Sequence, residues 1–238
     1  MTPSDDPDFA AKVADICQLY ADAPALVEHG IAVISSDELT GVQALERIHP
    51  GLPLAPGKVE RREFEYRRHG TVTAILSRNV ATGQVVAPSL GPPRTEADFL
   101  AHIQGVIASD PTVTQWHFVV DTLNIHRSES LVRYVAAASN LTEDLGVKGR
   151  MGILHHQASR VAFLTDQSHR VVFHYTPRHC SWLHQIEIWL SILMRKLLKR
   201  GSCVAKADLT AKILAFIDHY NRRAKPFKWT YQGKVLIA

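Results

Sequence analysis

The sequence predicts an α/β domain, a mixed five-stranded sheet with helices packed on its faces. Three observations predict it. Short β-branched runs, "GIAVISS" at 30–36, "WHFVVD" at 116–121 and "VVFHYTP" at 171–177, read as buried strands. A pair of strand-like runs within 71–90 is joined at Ala81–Gly83, where Thr-Gly marks a hairpin. Stretches with apolar residues at helical spacing separate and follow these runs. Antiparallel neighbours followed by alternating strands and helices call for a mixed sheet.

Each element has its own signal. Phe9, Val13, Ile16 and Tyr20 recur at helical spacing, so a helix over 7–22 is expected, closed by "ADAP". The strand at 30–36 follows, with Asp37 immediately after it, and then the Gly/Pro loop "HPGLPLAPGK". The segment "VERREFEYRRH", 59–69, leads into the hairpin. Thr95 is a fitting N-cap for a helix over 95–108 that carries Phe99, Ile103, Val106 and Ile107. After the strand ending in Asp121, a helix is expected from about Ser128, with Leu131, Val135 and Ala138 on one face. Residues 140–170 show no readable pattern. Beyond the last strand, Trp182, Ile186, Trp189, Leu193 and Leu197 form one apolar stripe, stopped by Gly201. Leu209, Ile213, Phe216, Ile217 and Tyr220 mark a second helix, followed by the aromatic tail "KPFKWTYQGK".

Composition narrows the class. At 238 residues, 46% hydrophobic and 21% charged, the chain is long enough for a proper core and reads as an ordinary globular protein. The net charge of +4 and pI near 9.0 favour a polyanionic partner, weakly. Cys17, Cys180 and Cys203 are widely spaced and odd in number, which suits a reducing compartment and no disulfide framework. The acidic N-terminus is unlike a signal peptide and no apolar run spans a bilayer, so a cytoplasmic location is expected.

Asp37 and Asp121 each adjoin the end of an expected buried strand, where ligand sites of α/β sheets gather. Glu187 lies on the C-terminal apolar helix, with Leu183, Leu190, Ser191 and Met194 as neighbours. Taken singly, an Asp after a strand is most often a turn or cap residue, and a helical Glu a solvated one. Three converging carboxylates, by contrast, need a cation. Hard ions such as Mg²⁺ or Mn²⁺ prefer oxygen ligands, and two of them about 3.5–4 Å apart serve phosphodiester chemistry.

The residues around these acids resemble a known family. "SDELTGVQALER" at 36–47, "VVDTLNIHRS" at 119–128, "YTPRHCSWLHQIEIWLSIL" at 175–193 and "YNRRAKPFKWTYQGK" at 220–234 look like the mariner-related bacterial insertion-sequence transposases of the DDE superfamily. The resemblance covers the chain from about residue 5 to its end, and its third stretch is the most specific. It implies an RNase H-like fold over 30–222, with 1–29 as N-terminal helix and linker, 140–170 as an inserted segment and 223–238 as a tail. It also implies that Asp37, Asp121 and Glu187 bind two divalent ions; the adjacent Glu38 is a second-choice ligand, since strand alternation should turn it away from Asp37's direction. Asn124 and His126 belong to the family pattern and would orient Asp121 or touch a phosphate; the plain alternative is a capping Asn124 and a surface His126. The implied activity is cleavage of double-stranded DNA at element ends and transfer to target DNA, by a homodimer at the bacterial nucleoid. A truncated, non-catalytic remnant and a stand-alone nuclease are the alternatives.

Departures from the family are also visible. His184 stands where Asn is common, and 66 positions from Asp121 to Glu187 exceed the mariner spacing. Relatives usually carry a helix-turn-helix region ahead of the catalytic domain, and this sequence starts near where that domain is expected to start. Arg61, Arg62, Arg67 and Arg68, and Arg195, Lys196, Lys199 and Arg200, are candidates for DNA backbone contact; a solvated face, or cations at a helix C-terminus, is the alternative. His179, Cys180 and His184 lack a fourth zinc ligand. Trp182 and Trp189 are expected in the core, and Trp229 is expected to pack the tail.

Overall fold

A computed structural model describes residues 6–61, 63–91 and 95–231. Along the chain run α1 (Phe9–Leu26), β1 (Ile31–Arg47), β2 (Tyr66–Asn79), β3 (Val85–Gly91), α2 (Glu96–Ala108) and β4 (Gln115–Val120). Then come α3 (Glu129–Ala138), α4 (Gln157–Leu164), β5 (Val171–Tyr175), α5 (Gln185–Leu193) and α6 (Lys206–Asn221). The five strands form one sheet in the order β3-β2-β1-β4-β5. β1, β2 and β3 are antiparallel, whereas β4 and β5 run parallel to β1. This is the mixed sheet the sequence predicts.

Side-chain alternation splits the sheet residues between two faces. Ile34, Phe118, Val120 and Phe173 join Phe99 and Ile103 of α2 and Leu131 and Val135 of α3 in one core. On the other face Val33 and Val119 pack against Val13, Ile16 and Tyr20 of α1. There too Ala74 and Leu76 meet Ile186, Trp189 and Leu193 of α5 and Ile213 of α6. Thr95 caps α2 in a reciprocal capping box with Asp98, as expected. Asp15 of α1 also accepts a 2.6 Å hydrogen bond from His174 of β5.

Several elements differ from expectation. α1 continues through Pro24 to Leu26. Proline removes one backbone bond there, but buried Tyr20 and Ala23 hold the last turns to the sheet. β1 runs for 17 residues, so Asp37 lies inside the strand and not after it. The parallel pairing with β4 stops at Ser35↔Val119, while the antiparallel pairing with β2 continues past Asp37 to Arg47↔Tyr66. β1 therefore outruns β4, and Asp37 emerges just beyond the end of its parallel neighbour. Past the sheet the same two strands lead into an arm held by the bridges Leu52↔Arg61 and Ala55↔Lys58.

The expected helix from Trp182 to Leu197 is broken into three. A 3-10 turn covers Ser181–Leu183, α5 follows, and a π-helical turn covers Met194–Leu198. His184 is extended between the first two and separates Trp182 from the stripe. Trp182 is 36% exposed and meets Tyr231 edge-on at 4.9 Å, so it is not core; Trp189 is fully buried. The unread segment holds α4 and a tight loop in which Gly146 and Gly152 lie back to back in left-handed conformation. A Cβ on Gly146 would collide with the Met151 carbonyl, so glycine is required.

Candidate active site

Alternation decides where the acids point. Val33, Ser35 and Asp37 share one face of β1, and Val119 and the following Asp121 continue the same face of β4. That is the face on which α1 and α5 pack. The N-terminus of α5 is pinned there by three hydrogen bonds. Ile186 N donates to Ser35 Oγ at 3.0 Å, Gln185 N to Tyr20 Oη at 3.4 Å, and His184 Nε2 to the Val119 carbonyl at 2.9 Å. Arg78, buried on β2, adds a 2.8 Å bond to Gln185 Oε1. Glu187 is held in the first turn of α5 as a result, where the helix dipole favours a carboxylate.

The three carboxylates respond to one another. Burial pushes the Asp37 carboxyl up to about 6; the backbone N–H of Glu38, 2.7 Å away, opposes this, and the charges of Asp121 and Glu38 add to it. Burial and the neighbouring Asp37 likewise raise Glu187. Asp121 goes the other way. Burial works against its charge, but His126 outweighs burial and holds the carboxyl below its ordinary value.

His126 is the structural surprise. It is fully buried, which corrects the surface alternative. Its Nδ1 lies 2.8 Å from Asp121 Oδ1 and its Nε2 2.9 Å from Glu38 Oε1. Burial disfavours its charge, yet hydrogen bonds to the two carboxylates raise it to about 9, so it is an imidazolium at neutral pH. Glu38 thus points to the opposite face from Asp37, as alternation requires, and serves as a counter-ion. The ring packs on Phe99 at 4.3 Å. Asn124 is exposed on the adjoining 3-10 turn and accepts from Gln157 Nε2 at 3.0 Å.

His184 is buried with Nδ1 3.6 Å from Asp37 Oδ2, and burial lowers it to about 4. A neutral ring that donates from Nε2 leaves an Nδ1 lone pair toward the acids. Among the described residues, no three His, Cys, Asp or Glu side chains stand in ready metal-ligand geometry. Burial and the like charges nearby raise both Asp37 and Glu187. Clustered carboxylates of this kind take up a proton or a hard cation to relieve that repulsion.

Of the basic residues, Arg195 lines one cleft with Glu187. Arg61 on the arm and Lys199 and Arg200 after α5 line one cleft of about 270 Å³ together with Glu60 and Glu63. Arg67 and Arg68 are exposed on β2 opposite Glu46 and Leu45. Arg195 and Lys196 are exposed on the π-helical turn, and Arg62 lies outside the described residues. Sequence reasoning missed Ser35, Tyr20, Arg78 and Glu38 as supports. Only the "RNV" run around a strand arginine hinted at one, because a charge in an apolar strand demands partners.

A model of the family described as DDE superfamily endonuclease matches residues 32–210. The crystal structure of the Mos1 mariner paired end complex with Mn aligns with a TM-score of 0.51 at 9% identity, covering 95% of this chain and 58% of that one. The Mos1 strand transfer complex gives 0.46 at 9% identity, over 94% and 57%. The chain thus spans less than two thirds of the length of these proteins. No curated protein matches it. With an RNase H-like sheet in common with the paired end complex and a family match across β1 to α6, the chain belongs to the DDE superfamily endonucleases.

Proposed function

We propose that the chain is the catalytic domain of a mariner-related DNA transposase that cleaves phosphodiesters at element ends and joins them to target DNA. The observation that carries this reading is the coupling of Asp37, Asp121 and Glu187 from two parallel strands and a pinned helix. Asp37, Asp121 and Glu187 would hold divalent ions, two in number, and Mg²⁺ or Mn²⁺ bound there would lower the pKa of the attacking oxygen and stabilise the leaving one. The chain's own residues prepare that chemistry. His126 keeps Asp121 ionised and oriented, and the Ser35 and Tyr20 bonds keep Glu187 opposite Asp37. In this reading residues 30–222 are the catalytic unit, 1–29 an N-terminal helix and linker and 223–238 a tail, whose Trp229 meets Tyr20 of α1 edge-on at 4.9 Å. Duplex DNA is the substrate, and two paired ends suit a homodimer. Among the described residues no helix is long and apolar enough to cross a membrane, and we place the work at the nucleoid.

The test is nicking and strand transfer on labelled duplex DNA in Mg²⁺ and Mn²⁺, wild type beside Glu187→Gln. Metal-dependent products lost in the variant support the reading. Cleavage that never proceeds to transfer would favour a stand-alone nuclease, and products that persist in the variant would overturn the site.

A further inference from the structure

We infer that residues 225–231 of the C-terminal tail are a strap that positions Glu187 through Arg78 and Tyr20. The inference rests on the catalytic reading above for what Glu187 does. The tail is tied down where it leaves α6. Asn221, the last residue of that helix, forks onto one strand residue: its Oδ1 accepts from Val85 N at 2.9 Å, and its Nδ2 donates to the Val85 carbonyl at 2.8 Å. The chain then crosses the turn between β2 and β3 at Gly83. A Cβ there would lie 2.1 Å from the Lys225 carbonyl oxygen, so only glycine lets the tail pass. Beyond that point every second residue is aromatic, as extended chain needs to present one side. Phe227 lies under the Arg78 guanidinium at 3.7 Å, Trp229 meets the Tyr20 ring at 4.9 Å, and Tyr231 meets the Trp182 ring at 4.9 Å.

Two of these contacts reach the first residue of α5. Arg78 is fully buried, and its fork holds two oxygens at once: Nη1 donates to Gln185 Oε1 at 2.8 Å and Nη2 to the Lys225 carbonyl at 3.0 Å. Burial weighs against its charge, and the groups that favour that charge are the hydroxyls of Tyr220 and Tyr20. A guanidinium held by carbonyl oxygens and a ring face, in place of a carboxylate, depends on the tail for its position. Gln185 is also fully buried and donates its backbone N–H to Tyr20 Oη at 3.4 Å, and Tyr20 in turn carries Trp229. Both of these bonds to Gln185 thus come from residues that the tail covers. Glu187 is two positions on, in the same turn. The bonds from Ile186 to Ser35 and from His184 to Val119 involve no tail residue. Without the strap, the first turn of α5 would swing about those two bonds and carry Glu187 out of register with Asp37. Arg78 and Phe227 are therefore positioning residues, acting on Glu187 through Gln185.

The experiment compares wild type with Phe227→Leu, which keeps apolar bulk but removes the ring face, and Phe227→Tyr, which keeps that face. Phe227 is only half-buried, and native circular dichroism verifies the fold of each variant. Amide hydrogen exchange is read residue by residue by NMR on the metal-free protein. Phe227→Leu should speed exchange several-fold at Gln185 and Glu187 and leave Phe118 and Phe173 in the sheet as they were. In Mn²⁺, cleavage of saturating duplex DNA should fall on the order of tenfold with KM unchanged, as for a slightly misplaced group. Phe227→Tyr should recover most of both losses, and Trp229→Leu should act like Phe227→Leu, through Tyr20. Exchange at Gln185 that stays as in wild type, or that rises equally across the sheet, overturns the strap, because the tail would then only cover the core. A raised KM with kcat unchanged also overturns it, in favour of a tail that binds DNA. If wild type shows no metal-dependent cleavage the catalytic reading falls, and the exchange measurement still decides whether the tail holds α5.

Discussion

Asp121 and Asp37 sit at equivalent points of neighbouring parallel strands, yet their charges are met in opposite ways. Asp121 is 45% exposed and pairs with an imidazolium that Glu38 holds from behind. Asp37 is 12% exposed, and the only basic group beside it among the described residues is the His184 ring, 3.6 Å away and lowered by burial. One half of the cluster is compensated by the protein and the other is left for something else to compensate. That difference is what the proposed cation site would use, because a cation bound there would supply the missing compensation.

The largest expected effects come from breaking the open half or the shared donor set. Asp37→Asn, Asp121→Asn and Glu187→Gln should each lower metal-dependent cleavage on the order of 10³-fold, since several kcal/mol of charge stabilisation are lost. Circular dichroism should stay native, and a variant that keeps near wild-type cleavage would remove its residue from the site. Breaking the compensated half acts on stability instead. His126→Ala removes the buried ring that bridges Glu38 and Asp121 and should cost about 3–5 kcal/mol in urea unfolding. Adding Glu38→Gln should restore part of that loss; no recovery would mean that the bridge is not what His126 supplies.

A second buried histidine sharpens the contrast. His102 bonds only to the hydroxyls of Ser77 and Ser89, at 2.8 Å each, and burial lowers it to about 4. His126, equally buried, is raised because carboxylates flank it. The folded state resists protonating His102, whereas the unfolded chain takes the proton near its ordinary value of 6.5. Stability should therefore fall as pH drops from about 6.5 to about 4, by roughly 2–3 kcal/mol, and His102→Gln should flatten that slope. The smallest effect is the most diagnostic. In EDTA, Asp37→Asn or Glu187→Gln should stabilise the protein by about 0.5–2 kcal/mol, because functional strain is relieved. Mg²⁺ should then raise the melting temperature of wild type more than that of either variant. Equal shifts would show that the ion does not bind between these residues.

Much of this was legible in the chain. The strand runs, the hairpin, the Thr95 cap and the C-terminal helices follow from periodicity and turn chemistry, which act within a few residues. Asp37, Asp121 and Glu187 could be named because the motifs around them resemble a family, and each is counted among the charges that shift the others. Other features could not be read. His126 looked as suited to the surface as to the interior, since nothing near it in sequence announces Glu38, 88 residues away. Trp182 fitted the helical stripe by spacing alone, but the extended His184 breaks the helix between them. Arg78 reaches from β2 to α5 and the tail, with Phe227 3.7 Å beneath its guanidinium.

The sequence by itself determined the layered α/β architecture and the order of its elements, because local propensity and alternation are written in neighbouring residues. Tertiary structure alone decided that β1 outruns β4, that α5 starts on Ser35 and Tyr20, and that one acid is compensated while its neighbour is not. Those outcomes depend on charges and hydrogen-bond partners far apart in the chain. Their energies are set by burial and distance, and neither exists until the chain has folded.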